Sequence, residues 1–527
     1  MKKLYFYRIF ILSILFISLS TTATAKTMNI LVYPFKNTGD NQYSWISAGM
    51  TDTVITDLMG IREVSVISNA DRRKIMEETK FILSGLVAEE TMVKVGKLTG
   101  ANIIFTGSYL VSENNIRVNA RLINVETGRA ESSAKIDGTL EKIFDLQDKV
   151  VLTLLSDTGK VTIANVAKVK IAEAEKKKIA EKPRPKTTAY ELYAKGLELQ
   201  DTIPKEALAY YKKALEIDKT YVSALIQYGF TAGTTLNLFD EALNYLTRAD
   251  NILKSRKATD TKEYAILMRN IGIVYGSKGD LDRALKYFMD AQQIWDRLGL
   301  QNTAGYATLM SSIGIVYKSK GDLDRALRYD IDSQQGFDSL GLQNTGGYAS
   351  LMNNIGNIYY HKGDLDRALK YFMDAQQIRD KLGLQNTVGY ADLMNNIGLV
   401  CSSKRDLDRA LRYYMDSQQI RDRLRLQNTA GYALLMMNIG IVYDSKGDLD
   451  HALRYYMDSQ QGQDRLRLQN TAGYADLLFN MGILYEKQGD KGMAGRYYRN
   501  SYDTYGRVGY TGPRRNNALK NARRLGY

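Results

Sequence analysis

The feature that most constrains this chain is a period. The residues Leu-Gln-Asn-Thr occur at 300–303, 342–345, 384–387, 426–429 and 468–471, each copy starting 42 residues after the one before. Self-similarity at such a length marks a stacked supersecondary unit. Within 264–298 the apolar residues recur three and four apart, first Met268, Ile271 and Tyr275, then Leu281, Ala284, Leu285, Phe288 and Ala291. That is helical spacing, interrupted once at Gly279-Asp280. Glycine suits a left-handed helix end, and an aspartate at a helix start offsets the helix dipole. Each copy therefore predicts a helix hairpin. One hairpin cannot bury its apolar stripe alone, but stacked neighbours can.

Equivalent units follow at 306–340, 348–382, 390–424, 432–466 and 474–505, and two shorter ones precede at 189–217 and 221–249, giving eight. The recurring Tyr-Ala-x-Leu-Met-x-Asn-Ile-Gly-x-Val-Tyr-x-Ser-Lys-Gly-Asp-Leu-Asp-Arg-Ala-Leu-x-Tyr resembles the tetratricopeptide (TPR) repeat, in the long-loop form of kinesin light chains. The resemblance implies an all-α TPR solenoid over 188–505, a right-handed superhelix of helix hairpins whose first helices line a groove for a polypeptide. One lining position, just before the Ile-Gly pair, holds Asn270, Ser312, Asn354, Asn396, Asn438 and Asn480. Neighbouring positions hold Arg269, Asn353, Asn395 and Asn357. A carboxamide donates and accepts at once, which suits an extended peptide backbone. The competing reading is that these amides tie adjacent helices together. At the second-helix position of Phe288, Phe372, Tyr414, Tyr456 and Tyr498, the unit at 306–340 has Asp330. A buried carboxylate without a partner is costly, so local rearrangement or partial exposure is expected there.

The formal net charge is +14, and Lys2, Lys3 and Arg8 contribute three of those charges. Met1–Arg8 is basic, 9–20 is apolar, and Ala23-Thr24-Ala25 follows. This is the pattern of a secretory signal peptide over 1–25, too short to span a bilayer comfortably. The expected mature chain is exported, periplasmic or outer-membrane-associated, and has no transmembrane segment. The remaining positive excess sits mostly in 158–187 and 506–527, which read as a basic helical linker ending at Pro183-Arg184-Pro185 and a basic C-terminal cap with a frayed tail. Neither points to nucleic acid.

Between them, 26–157 reads as a small α/β domain. Strands are expected at 29–33, 63–67, 102–111, 116–125 and 130–136, with helices at 44–59, 70–79, 89–98 and 140–155. Glu113-Asn114-Asn115 and Glu126-Thr127-Gly128 turn the last three strands into an antiparallel meander. The runs Ile30-Leu31-Val32-Tyr33-Pro34-Phe35-Lys36-Asn37, Gly100-Ala101-Asn102-Ile103-Ile104-Phe105-Thr106-Gly107-Ser108 and Arg117–Gly128 resemble the curli-transport component CsgG and its relatives with a TolB-N-terminal-like domain. That resemblance implies the fold and a bacterial envelope setting. No lipobox cysteine is present, and the meander strands read as too short for membrane-spanning hairpins, so the channel is not carried over.

Catalytic chemistry finds little support. Cys401 is the one cysteine, it stands where other repeats have Tyr, and His361 and His451 occupy unrelated repeat positions. Asp52, Asp57, Asp71, Glu77 and Glu78 read as solvated helix faces. No metal, cofactor or catalytic residue is expected. The function expected is a scaffold or adaptor binding a protein segment in the TPR groove, with the N-terminal domain meeting envelope or secretion machinery. The alternative is a structural or secretion-associated component that oligomerises through the α/β domain.

Overall fold

The computed structural model describes residues 28–61, 64–67, 88–156 and 172–527. The signal peptide, the helix expected at 70–79 and the first part of the linker lie outside the described residues. The chain divides into two compact units, one of residues 1–67 with 101–228 and one of residues 68–100 with 229–527.

The first unit is built on a mixed sheet. Its strands are β1 (Met28–Val32), β2 (Lys36–Asn37), β3 (Val64–Val66), β4 (Ile103–Ser112), β5 (Asn115–Asn124) and β6 (Ala130–Thr139). The order is β3-β1-β4-β5-β6, with β2 also on β4. β1 pairs in parallel with β3 and β4, and β4-β5-β6 is the expected antiparallel meander. β1 is buried along its whole length, as a strand with parallel neighbours on both sides should be. The meander strands are each ten residues long. The expectation of short strands is therefore corrected. β5 alternates buried and exposed residues over its first half, because one face lies under helix α3 (Ile143–Ser156) and the other faces solvent.

Helix α1 (Trp45–Met59) packs beside α3, and both meet α5 (Thr187–Leu199), the first helix of the first TPR-like pair. The join is polar and aromatic. Gln147 Nε2 donates to the Tyr190 hydroxyl at 2.7 Å, Thr53 shares a hydrogen bond with the same hydroxyl at 3.2 Å, and Tyr193 donates to Asp52 at 2.8 Å. The rings of Trp45 and Phe144 meet Tyr190 edge-on. Beside this network Lys182 pairs with Asp57, and Arg184 pairs with Asp148. Asp57 is buried, which corrects the reading of a solvated face. Burial lifts its carboxyl to about 6, and the Lys182 ammonium limits that rise. The linker is likewise no free spacer. It forms helix α4 (Glu173–Ala180), with Ile179 buried, and then sets its two cations onto the buried acids.

The second unit carries helix α2 (Ala88–Thr99) and the array. The helix pairs of the chain are α5 with α6 (Pro204–Ile217), α7 (Val222–Thr234) with α8 (Phe239–Ser255), and α9 (Lys262–Lys278) with α10 (Leu281–Arg297). They continue as α11 (Ala304–Ser319) with α12 (Leu323–Ser339), α13 (Gly346–His361) with α14 (Leu365–Lys381), and α15 (Val388–Ser403) with α16 (Leu407–Arg423). The last are α17 (Ala430–Lys446) with α18 (Leu449–Arg465), and α19 (Ala472–Lys487) with α20 (Lys491–Arg507).

The caps repeat with the sequence. The threonine of each Leu-Gln-Asn-Thr caps the following helix, as where Thr345 Oγ1 accepts from the Tyr348 amide at 3.2 Å. Each second helix of the long units is capped by the aspartate after the turn, as where Asp364 accepts from the Arg367 amide at 3.0 Å. Gly356 shows why the Ile-Gly pair recurs. A methyl there would lie 2.6 Å from the Phe372 ring, so the two helices could not close.

Helix α21 (Pro513–Arg524) ends the array. Ala518 and Ala522 are buried, Arg514 pairs with Asp476, and Arg524 pairs with Glu486, each at 2.6 Å. The Tyr527 ring closes over Gly495. The frayed tail expected from the basic composition is thus corrected: its cations hold the last hairpin.

Candidate peptide-binding groove

Successive first helices α11, α13, α15, α17 and α19 approach one another directly, so their facing residues form a continuous inner face. Ser312, Asn354, Asn396 and Asn480 are half-buried along it, as are Asn353, Asn395 and Asn357, and Arg269 is half-buried on α9. Asn270 and Asn438 are buried.

The amides are partly committed to one another. Asn396 Nδ2 donates to Asn353 Oδ1 at 2.9 Å, and Asn438 Nδ2 donates to Asn395 Oδ1 at 3.0 Å. These rungs join adjacent repeats. Asn357 donates to the Asn353 carbonyl of its own helix at 3.0 Å, and Ser312 donates to the Thr308 carbonyl. Each carboxamide has two donor hydrogens and an acceptor oxygen, so a rung leaves capacity on half-buried Asn396. The two readings of the ladder therefore hold together: the amides align the helices and still offer polar atoms on the inner face.

The inner face also has an apolar component. Ile315 is 44% exposed, Leu434 is also exposed, and Ile273, Leu399, Ile441 and Ile483 are half-buried one repeat apart. At that position Asn357 is the polar exception. The face thus combines neutral amides with isolated aliphatic side chains.

The outer architecture holds a second ladder that spacing alone could have shown. Lys320 pairs with Asp282, Lys362 with Asp324, Lys404 with Asp366 and Lys446 with Asp408, each 38 residues apart. The aspartates are the second ones of each Asp-Leu-Asp run, so that run is a cap plus an inter-repeat rung. Next to the hairpin turn of five of the six long units, tyrosines stack in near-parallel pairs, such as Tyr317 with Tyr329 and Tyr359 with Tyr371, at 5.5 Å between centroids. The Arg325 and Arg367 guanidiniums lie over the first ring of these pairs.

Asp330 departs from the expectation. Helix α12 runs through it unbroken, and it is 1% exposed. Its Oδ1 has no hydrogen-bond partner and abuts Gly314. Burial lifts the carboxyl to about 7, while Ser311 and Lys318 favour the charged form.

The family pattern described as tetratricopeptide repeat matches residues 263–333, 347–423 and 389–464. The pattern of the curli production assembly/transport component CsgG matches residues 15–117. Residues 263–464 are thus TPR repeats, preceded by a CsgG-family match. Among curated proteins, the putative adenylate cyclase 3 of Rhizobium meliloti (strain 1021) is 30% identical over 129 residues, 24% of this chain. The match spans about a fifth (20%) of that relative's length. Similar solved structures include BtubC from P. vanneervenii, at 20% identity and TM-score 0.38, covering 43% of this chain and 92% of that one. PilF of Pseudomonas aeruginosa matches at 16% and TM-score 0.36, covering 49% and 98%. A putative kinesin light chain of Podosopora anserina with nearly identical TPR-like repeats matches at 9% and TM-score 0.35, covering 39% and 97%.

Proposed function

We propose that this chain is an exported protein–protein interaction scaffold of the bacterial cell envelope, whose inner TPR face holds a polypeptide segment. The observation that carries the reading is the inner face, where half-buried amides alternate with exposed or half-buried aliphatic side chains at a constant 42-residue interval. That arrangement suits an extended segment low in charge, with apolar side chains spaced to meet Ile315, Leu399 and Ile441. The TPR repeats support binding of a protein partner. The signal-like first 25 residues and the CsgG-family match support export and an envelope role.

The test is affinity capture from an envelope extract with the intact chain, beside a variant carrying Asn354→Ala, Asn396→Ala and Ile315→Ser. A partner held by the first and lost by the second, at unchanged circular dichroism, supports the groove. Equal capture by both refutes it.

One observation favours a second reading, assembly through the N-terminal domain. Strand β6 ends the sheet and pairs only with β5 among the described residues, leaving a ten-residue edge. Such an edge can accept a further strand. Sizing the isolated array against the intact chain separates the two readings, since only N-terminal assembly gives a high-mass species that the array alone lacks.

A further inference from the structure

Helix α2 precedes β4 in sequence but groups with the array. Its apolar residues Met92, Val95 and Leu98 are buried at three-residue spacing, while Glu90 and Lys97 are exposed. At its end, Gly100 lies against the array. A methyl there would be 2.5 Å from Leu342 and 2.9 Å from the Thr345 side chain. Lys94 Nζ stands 3.9 Å from where a side chain at Gly383 would begin. Both places are inter-repeat loops, one repeat apart.

The repeats supply their own control. The cap threonine is the same residue in every long unit, yet Thr345 is 4% exposed and Thr387 is 1% exposed, whereas Thr303, Thr429 and Thr471 are only half-buried. The extra cover coincides with the two loops that α2 reaches. Loop sequence permits the contact. The residue before Leu-Gln-Asn-Thr is Gly341 and Gly383 at these loops and Gly299 at the loop before them, but Arg425 and Arg467 at the next two. All five have positive φ, so the change is in side chain and not in turn geometry. Glycine leaves room beside Lys94, where arginine would set a cation against a cation.

We propose that the inter-repeat loops around Gly341–Thr345 and Gly383–Thr387 form a helix-binding ledge on the array, and that its occupant is α2 of the same chain. The ledge is separate from the inner face. Asn354 lies nine residues beyond Thr345 on α13, about 13 Å along the helix axis at ~1.5 Å per residue. The array thus has two binding surfaces, and the ledge does not depend on what the groove holds.

The experiment is hydrogen exchange, read by mass spectrometry on peptides covering 90–99 in the intact chain. Gly383→Arg introduces a residue that the equivalent loops already tolerate, so the array should fold. Opposing two partly exposed cations weakens docking by the order of an exposed ion pair, and the expected effect is exchange about two- to fivefold faster in 90–99. Adding Lys94→Glu restores attraction and should return the rate toward wild type. Gly299→Arg, the same change at a loop away from α2's contacts, should leave 90–99 unaltered. An unchanged rate in Gly383→Arg, or equal acceleration by Gly299→Arg, overturns the ledge. Protection of 90–99 that falls on dilution overturns the same-chain occupant in favour of a second copy. Groove capture by Gly383→Arg should remain intact, so failure here is distinguishable from failure of the scaffold reading.

Discussion

Replacing Asp330 tests whether the one non-aromatic residue at this position among the six long units is a pH-sensitive weak point. The folded carboxyl titrates at about 7, against 3.8 for the free side chain. Between those values the folded chain keeps a proton that the unfolded chain has lost. Stability therefore falls as pH rises from about 4 to 7 and is level above that, by the slope of roughly 1.4 kcal/mol per unit. Over that interval the cost of ionising Asp330 reaches about 4 kcal/mol, an upper figure because burial is incomplete and the interior relaxes. Asp330→Asn should remove the pH dependence while keeping size. Asp330→Phe should remove it and also fill the site as Phe288 and Phe372 fill theirs beside Gly272 and Gly356, adding about 2 kcal/mol of apolar burial. Because repeat arrays open locally, the assay is hydrogen exchange of α11 and α12 in the intact chain at pH 5 and pH 8, corrected for the intrinsic rate. Opening should be easier at pH 8 in wild type and equal at both pH values in Asp330→Asn. If wild type and Asp330→Asn change in parallel, Asp330 is solvated or paired and the reasoning fails.

Two further substitutions probe other single contacts. Lys182→Ala leaves buried Asp57 without its main partner, so loss of about 3 kcal/mol in the first unit is expected by urea denaturation. The deficit shrinks as pH falls toward about 6 and is level below it, because Asp57 without the Lys182 ammonium takes up its proton at a higher pH than in wild type. An unchanged midpoint would mean the linker does not hold α1 and α3. Cys401 stands where other units stack a tyrosine, and in its absence Arg409 lies over Tyr413 instead. Cys401→Tyr should complete the stack and slow local opening of α15–α16 by about 0.5–1.5 kcal/mol, whereas faster opening would show the site too tight for the ring.

The period made the array legible because each 42-residue copy states the same helix limits, caps and close approach, so an error at one copy is corrected by the next. The sites that were misread are those where one copy differs or where the partner is distant. Local rearrangement or partial exposure was expected at Asp330, but an unbroken 17-residue helix and an intact hairpin hold it, and the cost goes into protonation instead. Asp57 lay on an apparently ordinary helix face. Its burial depends on Lys182, 125 residues later, and no local pattern announces such a pairing. Basic runs misled for the same reason. In both the linker and the last helix, composition suggested solvent, while Lys182, Arg184, Arg514 and Arg524 each meet a carboxylate contributed by another helix. The ledge shows the converse. Its threonines and leucines are identical in every copy, and the residue before them is glycine in three copies and arginine in two, so the sequence does not single out these loops and their role is visible only once α2 is seen beside Gly383. In a repeat protein the shared residues report the scaffold. Departures from the repeat such as Asp330, Cys401 and Asn357 are where a specific partner or switch has to be sought, because they distinguish one surface of the array from the next.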